Sequence, residues 1–257
     1  MNRVELVKQI IKLSYVSKEG HLGSSLSILD VLYVLYKNYI TQKTNTGNLN
    51  RFILSKGHAS LAYYVILNEF NLLEEPIENF CKFSSFIGGH PSDKLKAVEA
   101  STGSLGHGLP IALGMALGYK IQKNDGQVYV IIGDGEMNEG SIWEALLLAP
   151  HHGLNNITCI LDYNRSNDRA VKLDNIFKKV EAFNWNCIEI DGHNLTQISE
   201  ALAVRHETKP TFIIANTIKG KGVSFMENNP EWHHKAPTDE QMQEIFKEID
   251  VIYKQIK

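Results

Sequence analysis

The sequence is poor in cysteine and proline and has no long apolar run. Only 3 cysteines and 7 prolines occur among 257 residues, with no Cys-x-x-Cys pair. No stretch approaches the ~18 consecutive apolar residues of a membrane span, and charges interrupt the first apolar segment, unlike a secretion signal. We therefore expect no membrane association, a cytoplasmic location, and reduced, packed thiols at Cys81, Cys159 and Cys187.

An excess of charge of one sign is also lacking. Lys and Arg number 26 against 29 Asp and Glu, so the formal net charge of −3 offers no broad field for polyanions. Nucleic acid is accordingly not expected as a partner. The 43% hydrophobic content and the absence of low-complexity tracts exclude disorder, and residues 1–257 are expected to form one domain.

Apolar segments rich in β-branched residues alternate with helical patterns along the second half of the chain. The predicted strands are 127–132, 157–162, 186–190 and 211–216, and the helical patterns between them are 139–150, 172–182 and 195–207. Such alternation predicts an α/β fold, a doubly wound parallel sheet with helices on both faces. The first hundred residues look helical and loop-rich, and further helices are predicted at 3–17, 25–39, 59–68, 109–122 and from 238 to 256.

Acids, amides and glycines follow two of these strands, where a parallel sheet binds its ligands. Glycines in Gly133-Asp134-Gly135 allow backbone N–H groups to face an anion at a helix start. An acid in such a turn suits a divalent cation between protein and phosphate, with Asn164 after the next strand as a second oxygen ligand. Magnesium prefers this donor set. A plain tight turn and a helix cap are the structural alternative for these residues.

Five of the ten histidines directly follow a glycine, more than chance gives for 19 glycines in 257 positions. They are His21, His58, His90, His107 and His193. A glycine allows close backbone approach, so an adjacent imidazole can reach a cavity as donor, acceptor or proton carrier. The pattern predicts that several loops converge, although each histidine can also be an ordinary loop residue. No two His or Cys have the spacing of a helical zinc motif, which disfavours zinc.

These motifs together resemble the thiamine-diphosphate-binding half of transketolase. The stretch GDGEMNEGSIWEAL continuing to LDYNRS is similar to the cofactor signature of that family. Six further segments match in order, so the resemblance covers the chain end to end: GHLGSSLS, RFILSKGHA, GGHP, STGSLGHGL, TIKGKG and WHHKAP. The resemblance implies the thiamine-diphosphate-binding fold, with thiamine diphosphate and Mg²⁺ as cofactors. No Gly-x-Gly-x-x-Gly or P-loop motif supports a nucleotide instead.

The resemblance also implies roles for individual residues. Asp134, Asn164 and the backbone carbonyl of Ser166 are expected to bind Mg²⁺. Other cofactor contacts are expected from His58, Gly103, Leu105, Gly135, Glu139 and His233, and the sugar is expected to face His21, His58, His90 and His233. These histidines would orient hydroxyl groups and assist proton transfer. Glu139 and Glu144 also match acids at a dimer contact of the family, or else lie on a solvated helix face.

The sequence departs from the family pattern in three places. The usual residues after the metal-binding Asn are replaced by Asn167-Asp168-Arg169, and position 107 is His where many transketolases have Gln. His234 stands where the glycine after His233 is expected, so the sequence leaves open which of the two histidines faces the cofactor.

The resemblance implies a split enzyme, because the sequence stops before the pyrimidine-binding and carboxyl-terminal domains of the family. A second polypeptide carrying these domains is the expected partner, in an α2β2 assembly. The implied reaction transfers a glycolaldehyde unit from a ketose to an aldose, with pentose phosphates as the default substrates. Alternatives are the α subunit of a thiamine-diphosphate enzyme acting on 2-oxo acids, a non-catalytic paralogue, and a nicotinamide-binding domain.

Overall fold

The computed structural model describes residues 3–254, in which helices and strands alternate from the second strand onward. The helices are α1 (Arg3–Ser17), α2 (Leu22–Leu35), α3 (Ser60–Glu69), α4 (Gly108–Ile121), α5 (Gly140–His151), α6 (Ile176–Ala182), α7 (Leu195–Ala203) and α8 (Asp239–Lys254). The strands are β1 (Arg51–Leu54), β2 (Val128–Gly133), β3 (Ile157–Tyr163), β4 (Asn186–Asp191) and β5 (Thr211–Asn216).

All five strands are parallel, in the order β1-β2-β3-β5-β4. Gly133 at the end of β2 lies opposite Asp162 in β3, and Tyr163 lies opposite Asn216 in β5. Because these strands end in register, the residues that follow them emerge side by side at one edge of the sheet. The register thus places Asp134 and Asn164 in the same neighbourhood.

Both faces of the sheet are covered, which explains why the strands are continuously apolar. On β1, Phe52 and Leu54 belong to a core formed with α1, α2, α3, α7 and α8. The intervening Ile53 belongs to the opposite core, formed with α4, α5 and α6. The predicted doubly wound sheet with helices on both faces is confirmed.

The element predictions hold for the later strands and for helices α1 and α3, and they differ from the structure in the first hundred residues at β1 and α2. Strand β1 was not predicted, because its four residues are too short to show a period. Helix α2 begins three residues before the predicted 25, and a π-helical turn, Tyr36–Ile40, takes the rest of that segment. Helix α6 begins four residues after the predicted 172. The final predicted helix reaches 256, and its last residues lie outside the described range.

The three cysteines do not all pack as predicted. Cys159 is buried and Cys187 half-buried, but Cys81 is exposed in an irregular loop, where apolar neighbours in sequence do not ensure burial. All three are free thiols. Between residues 3 and 254 no helix combines the length and hydropathy needed to cross a membrane.

Candidate functional site

The carboxyl ends of β2 and β3 open into a cavity of about 310 Å³. Nine of the predicted site residues line it, namely His21, His58, Gly103, Leu105, Asp134, Gly135, Asn164, Ser166 and His233. Gly133 of the predicted anion-binding turn also lines it, and the sequence predicts no role for five others on the lining, which are Ser24, Lys56, Glu136, Asn167 and Lys219. Loops separated by more than two hundred residues therefore meet in one cavity.

Asp134 and Asn164 direct oxygen atoms toward the same point. The Ser166 hydroxyl Oγ lies 2.5 Å from Asn164 Oδ1 and 3.5 Å from Asp134 Oδ1. The other carboxylate oxygen, Asp134 Oδ2, accepts a hydrogen bond of 3.0 Å from the Asn167 backbone N–H. The two strand ends thus bring together a carboxylate, an amide oxygen and a hydroxyl, the ligand types that magnesium prefers.

The Asn164 amide is oriented by a buried carboxylate beneath it. Its Nδ2 donates to Asp162 Oδ2 at 2.8 Å, which turns Oδ1 toward Ser166. Asp162 is itself ion-paired with Lys56, and both side chains are only 1% exposed. Ser27 Oγ also donates to Asp162, at 2.8 Å. Burial alone raises the pKa of the Asp162 carboxyl, but the Lys56 charge and these hydrogen bonds lower it below its usual value.

The surroundings of Asp134 fit a magnesium ion with a diphosphate. Burial raises the pKa of the Asp134 carboxyl, and the charge of nearby Asp162 adds to this effect, so a cation is favoured here. Within the described chain, no atom lies within 4 Å of the position that a Cβ on Gly135 would take. The Gly135 N–H, predicted to face the diphosphate, donates instead to Asp134 Oδ1 at 2.9 Å.

A second cavity of about 330 Å³ adjoins the first and adds positive charge. It shares Asn164, Ser166, Lys219 and His233 with the first cavity and adds Arg165 and Arg169, among others. Burial, followed by the charge of Lys56, lowers the pKa of the Lys219 ammonium to about 8. Cationic side chains beside an oxygen cluster are suited to a polyanionic ligand such as a diphosphate.

The Glu136 carboxylate forms hydrogen bonds with three loops around the cavity. Its carboxylate accepts hydrogen bonds from Ser55 Oγ at 2.5 Å and from the backbone N–H groups of Gly106 and Gly133, both at 2.9 Å. The side chain is 1% exposed, and burial raises its pKa. Glu136 therefore ties the end of β1 and the loop before α4 to the turn that carries Asp134.

Three histidine rings meet on the opposite wall. The His21 ring centroid lies 5.3 Å from that of His58 and 5.7 Å from that of His233. Burial and the charge of Lys56 lower the pKa of His58 to about 2, and burial and neighbouring histidines lower that of His21 to about 4. Both imidazoles are neutral near pH 7, so each can donate one hydrogen bond and accept another.

His233, rather than His234, lies on the cavity wall. Its Nδ1 is 3.1 Å from Lys219 Nζ, and burial lowers its pKa. The His234 side chain is 64% exposed and is absent from the lining. Of the two histidines between which the sequence did not distinguish, His233 is therefore the one on the cavity wall.

Not every glycine-flanked histidine reaches the cavity. His90 is exposed at its rim, where its Cδ2 would lie 2.9 Å from a Cβ on Gly103. His193 is a structural residue instead, because its Nδ1 lies 2.8 Å from buried Asp30 Oδ2 and its Nε2 accepts a hydrogen bond from the Ile218 N–H at 2.9 Å. The alternative left open for each histidine, that of an ordinary structural residue, therefore applies to His193.

Two predicted positions near helix starts also lie outside the cavity. His107 is exposed immediately before α4. Glu139 is exposed at the start of α5 and does not line the cavity, contrary to the cofactor contact expected of it, and Glu144 is exposed on the same helix. The exposure of both acids is compatible with the dimer contact and with the solvated helix face expected from the sequence, so both alternatives stay predictions.

Some missed residues carried a usable signal. Lys56 follows β1 by two residues, so the rule that ligands bind at strand ends would have included it had β1 been predicted. Glu136 stands inside the quoted GDGE stretch, but two of its three hydrogen-bond donors, Ser55 and Gly106, are distant in sequence. Nothing local distinguishes its carboxylate from that of exposed Glu139.

Residues 5–251 match the family described as transketolase, thiamine diphosphate binding domain. The chain is 36% identical to an apulose-4-phosphate transketolase subunit of Phocaeicola vulgatus over 253 residues, which cover 94% of this chain and 90% of that protein. It is 37% identical to human transketolase over 258 residues, covering 96% of this chain and 41% of the human protein. The chain thus spans less than half of the single-chain relative.

The fold comparison agrees with the sequence comparison. A crystal structure of transketolase from Campylobacter jejuni superposes with a TM-score of 0.82 at 28% identity, covering 97% of this chain and 43% of that one. The shared fold, the family match over nearly the whole chain and the oxygen cluster after β2 and β3 lead to one assignment. The chain belongs to the transketolase family and comprises its thiamine-diphosphate-binding domain.

Proposed function

We propose that this chain is the thiamine-diphosphate-binding subunit of a two-subunit transketolase, which transfers a two-carbon glycolaldehyde unit from a ketose to an aldose. The observation that carries the proposal is the meeting of Asp134 and Asn164 oxygens at Ser166, beside the clustered His21, His58 and His233. The subunit assignment is supported by 90% coverage of a relative named as a transketolase subunit, against 41% coverage of human transketolase.

In this proposal one group of residues binds the metal ion and another binds the diphosphate. Asp134, Asn164 and Ser166 hold Mg²⁺, while Lys219, Arg165 and Arg169 supply positive charge for the diphosphate. When bound, thiamine diphosphate supplies the carbanion chemistry that cleaves and forms the C–C bond. A second subunit with the pyrimidine-binding domain holds the other end of the cofactor, and we propose an α2β2 assembly.

The histidines act on the sugar. Neutral His21 and His58 can each donate to one hydroxyl group and accept from another, which holds a polyhydroxylated substrate in one orientation. His233 lies against Lys219 and can relay a proton between the sugar and that side chain. His90 at the rim is positioned to contact the substrate as it enters. The free thiols of all three cysteines support a cytoplasmic location.

The cofactor assignment is tested by calorimetry on the chain co-purified with its partner. We expect thiamine diphosphate to bind in the presence of Mg²⁺ and binding to be lost with a chelator. Asp134→Asn should weaken binding by ~10-fold or more, since it removes the charged ligand. Asp174→Asn is the matched control, because Asp174 is exposed and does not line the cavity. Equal affinity of D134N and wild type would refute the magnesium site.

The reaction is tested by substrate profiling of the same complex. Ketose donors should include pentose phosphates and apulose 4-phosphate, the sugar in the name of the similar Phocaeicola vulgatus protein, with aldose phosphates as acceptors. We expect turnover of at least one ketose donor. Turnover of 2-oxo acids alone would reassign the chain to that enzyme class. Cofactor binding without turnover of either class would identify a non-catalytic paralogue.

A further inference from the structure

Three side chains of metal-ligand type meet at the edge of the cavity, and two of them, Glu19 and His234, are absent from its lining. They are Glu19, His21 and His234, and one ligand atom of each lies within 4.8 Å of the others. His21 Nδ1 is 3.7 Å from Glu19 Oε1, and His234 Nε2 is 3.8 Å from the same oxygen. These separations are too long for hydrogen bonds and leave the three atoms facing one another.

His21 provides the second observation. Its Nδ1 is buried, and no described residue forms a hydrogen bond with it. A buried imidazole nitrogen is ordinarily satisfied, so an unpartnered one that faces a carboxylate indicates a missing partner between them. A cation is the partner that both atoms can bind.

The backbone is shaped to bring the three residues together. A Cβ on Gly20 would lie 2.9 Å from the His234 Cα and carbonyl carbon, so only glycine allows the two segments to approach this closely. His21 itself has a left-handed backbone, with φ of 63°, immediately before α2. The His21 and His234 rings then meet edge to face, with centroids 4.5 Å apart.

The donor set selects the kind of ion. Two imidazole nitrogens and one carboxylate oxygen suit Zn²⁺ and similar transition metals, whereas Mg²⁺ prefers oxygen ligands alone. Ligands of a tetrahedral Zn²⁺ at ~2.0–2.1 Å lie about 3.4 Å apart, close to the two separations from Glu19. The fourth position would be open to water or to a hydroxyl group.

We propose that Glu19, His21 and His234 bind a zinc-class divalent ion at the edge of the cavity. An ion there occupies the Nδ1 of His21, fixes its ring and leaves Nε2 as a donor only, so His21 can no longer accept a hydrogen bond from the sugar and the enzyme is inhibited. The inhibition rests on the proposed function, whereas the metal site does not. The site also depends on His234, which replaces the glycine expected at this position from the family resemblance.

Binding is tested with Co²⁺ and Zn²⁺ on the tag-free full chain in excess Mg²⁺. We expect one Co²⁺ per chain with the visible absorption of tetrahedral coordination, displaced by Zn²⁺. Glu19→Gln and His234→Gly should each weaken Zn²⁺ binding at least tenfold, measured against a chromophoric chelator. His107→Gln, an exposed histidine outside the trio, and Asp134→Asn should leave it unchanged. Equal affinity of wild type, E19Q and H234G would overturn the site.

Inhibition is tested separately on the complex with its partner. Zn²⁺ should inhibit ketol transfer by the wild type, and H234G should need at least tenfold more Zn²⁺ for the same loss. Equal inhibition of both proteins would overturn the inhibitory role. Absence of ketol transfer in every protein would refute the proposed function but leave the Co²⁺ spectrum as an independent measure of the site.

Discussion

Replacement of Lys56 by methionine should destabilise the fold strongly, because it leaves a buried carboxylate without its counter-charge. The Lys56 and Asp162 side chains are each 1% exposed and form an ion pair at the base of the cavity. Methionine keeps most of the length and volume of lysine but carries no charge. Asp162 would then keep only neutral donors, from Ser27, Asn164 and Thr217.

The size of the effect follows from that environment. Removing one partner of a buried pair costs about 3–5 kcal/mol. The three remaining hydrogen bonds each contribute about 1 kcal/mol, so we expect a loss near the lower limit, about 3 kcal/mol. The double variant K56M/D162N removes both charges and should recover at least ~1 kcal/mol of that loss.

The coupling between the Lys56 and Asp162 side chains is measured by urea unfolding of four proteins: wild type, K56M, D162N and the double variant. Without Lys56, burial raises the pKa of Asp162, so the folded state loses stability as pH rises and the carboxyl ionises. The difference between wild type and K56M in free energy of unfolding should therefore grow as the pH rises above the unfolded Asp pKa of ~3.9. A loss below ~1 kcal/mol at neutral pH, or additive effects in the double variant, would contradict this account of the pair.

Three further outcomes are expected. His58 has its pKa lowered to about 2, so its contribution to stability is complete above the unfolded pKa near 6.5 and is lost as pH falls. Between about pH 7 and about pH 5.5 the free energy of unfolding of the wild type, measured by urea titration with a chelator present, should fall by about 1 kcal/mol more than that of His58→Asn. Parallel pH dependences of the two proteins would contradict this. Glu136→Gln should lower the free energy of unfolding by about 2 kcal/mol in the same assay, because a neutral amide accepts weaker hydrogen bonds than a carboxylate from the three buried donors. A change below ~0.5 kcal/mol would refute the role of Glu136. In α4, Gly108→Ala should lower the thermal midpoint of unfolding, because the new Cβ would lie 2.4 Å from Ser55 Cβ. Gly114→Ala in the same helix should instead raise the free energy of unfolding by about 0.5–1 kcal/mol, since its Cβ would meet no described atom within 4 Å. Equal shifts of the midpoint in the two variants would contradict the packing argument.

The parts of the site that local pattern could predict are those at the ends of long buried strands. Asp134 and Asn164 follow strands β2 and β3, whose continuous apolar sequence identifies parallel strands, and parallel strands end at one edge. Their convergence on Ser166 follows from that geometry. Strand β1 has four residues, too few to show a pattern, and Lys56 was missed with it.

The remaining differences come from contacts that no local pattern contains. Lys56 and Asp162 are 106 residues apart, so neither charge could be assigned a partner from the sequence. His193 follows a glycine as His21 does, yet it binds Asp30 beneath the surface rather than facing the cavity. The distinction depends on which segment packs opposite each loop, and tertiary structure alone decides that.

The distribution of the site along the chain has a consequence for its synthesis. Helix α8 packs on α1, where Lys8 Nζ lies 2.6 Å from Asp250 Oδ1, and the wall formed by His233 comes more than two hundred residues after His21. At ~5–20 residues per second, a ribosome needs on the order of ten seconds or more between these two histidines. During that interval, and until α8 is made, the side of α1 that packs on α8 stays uncovered. Holdase chaperones should therefore bind the nascent chain before the cavity can form. A truncated chain that lacks α8 should aggregate instead of binding thiamine diphosphate.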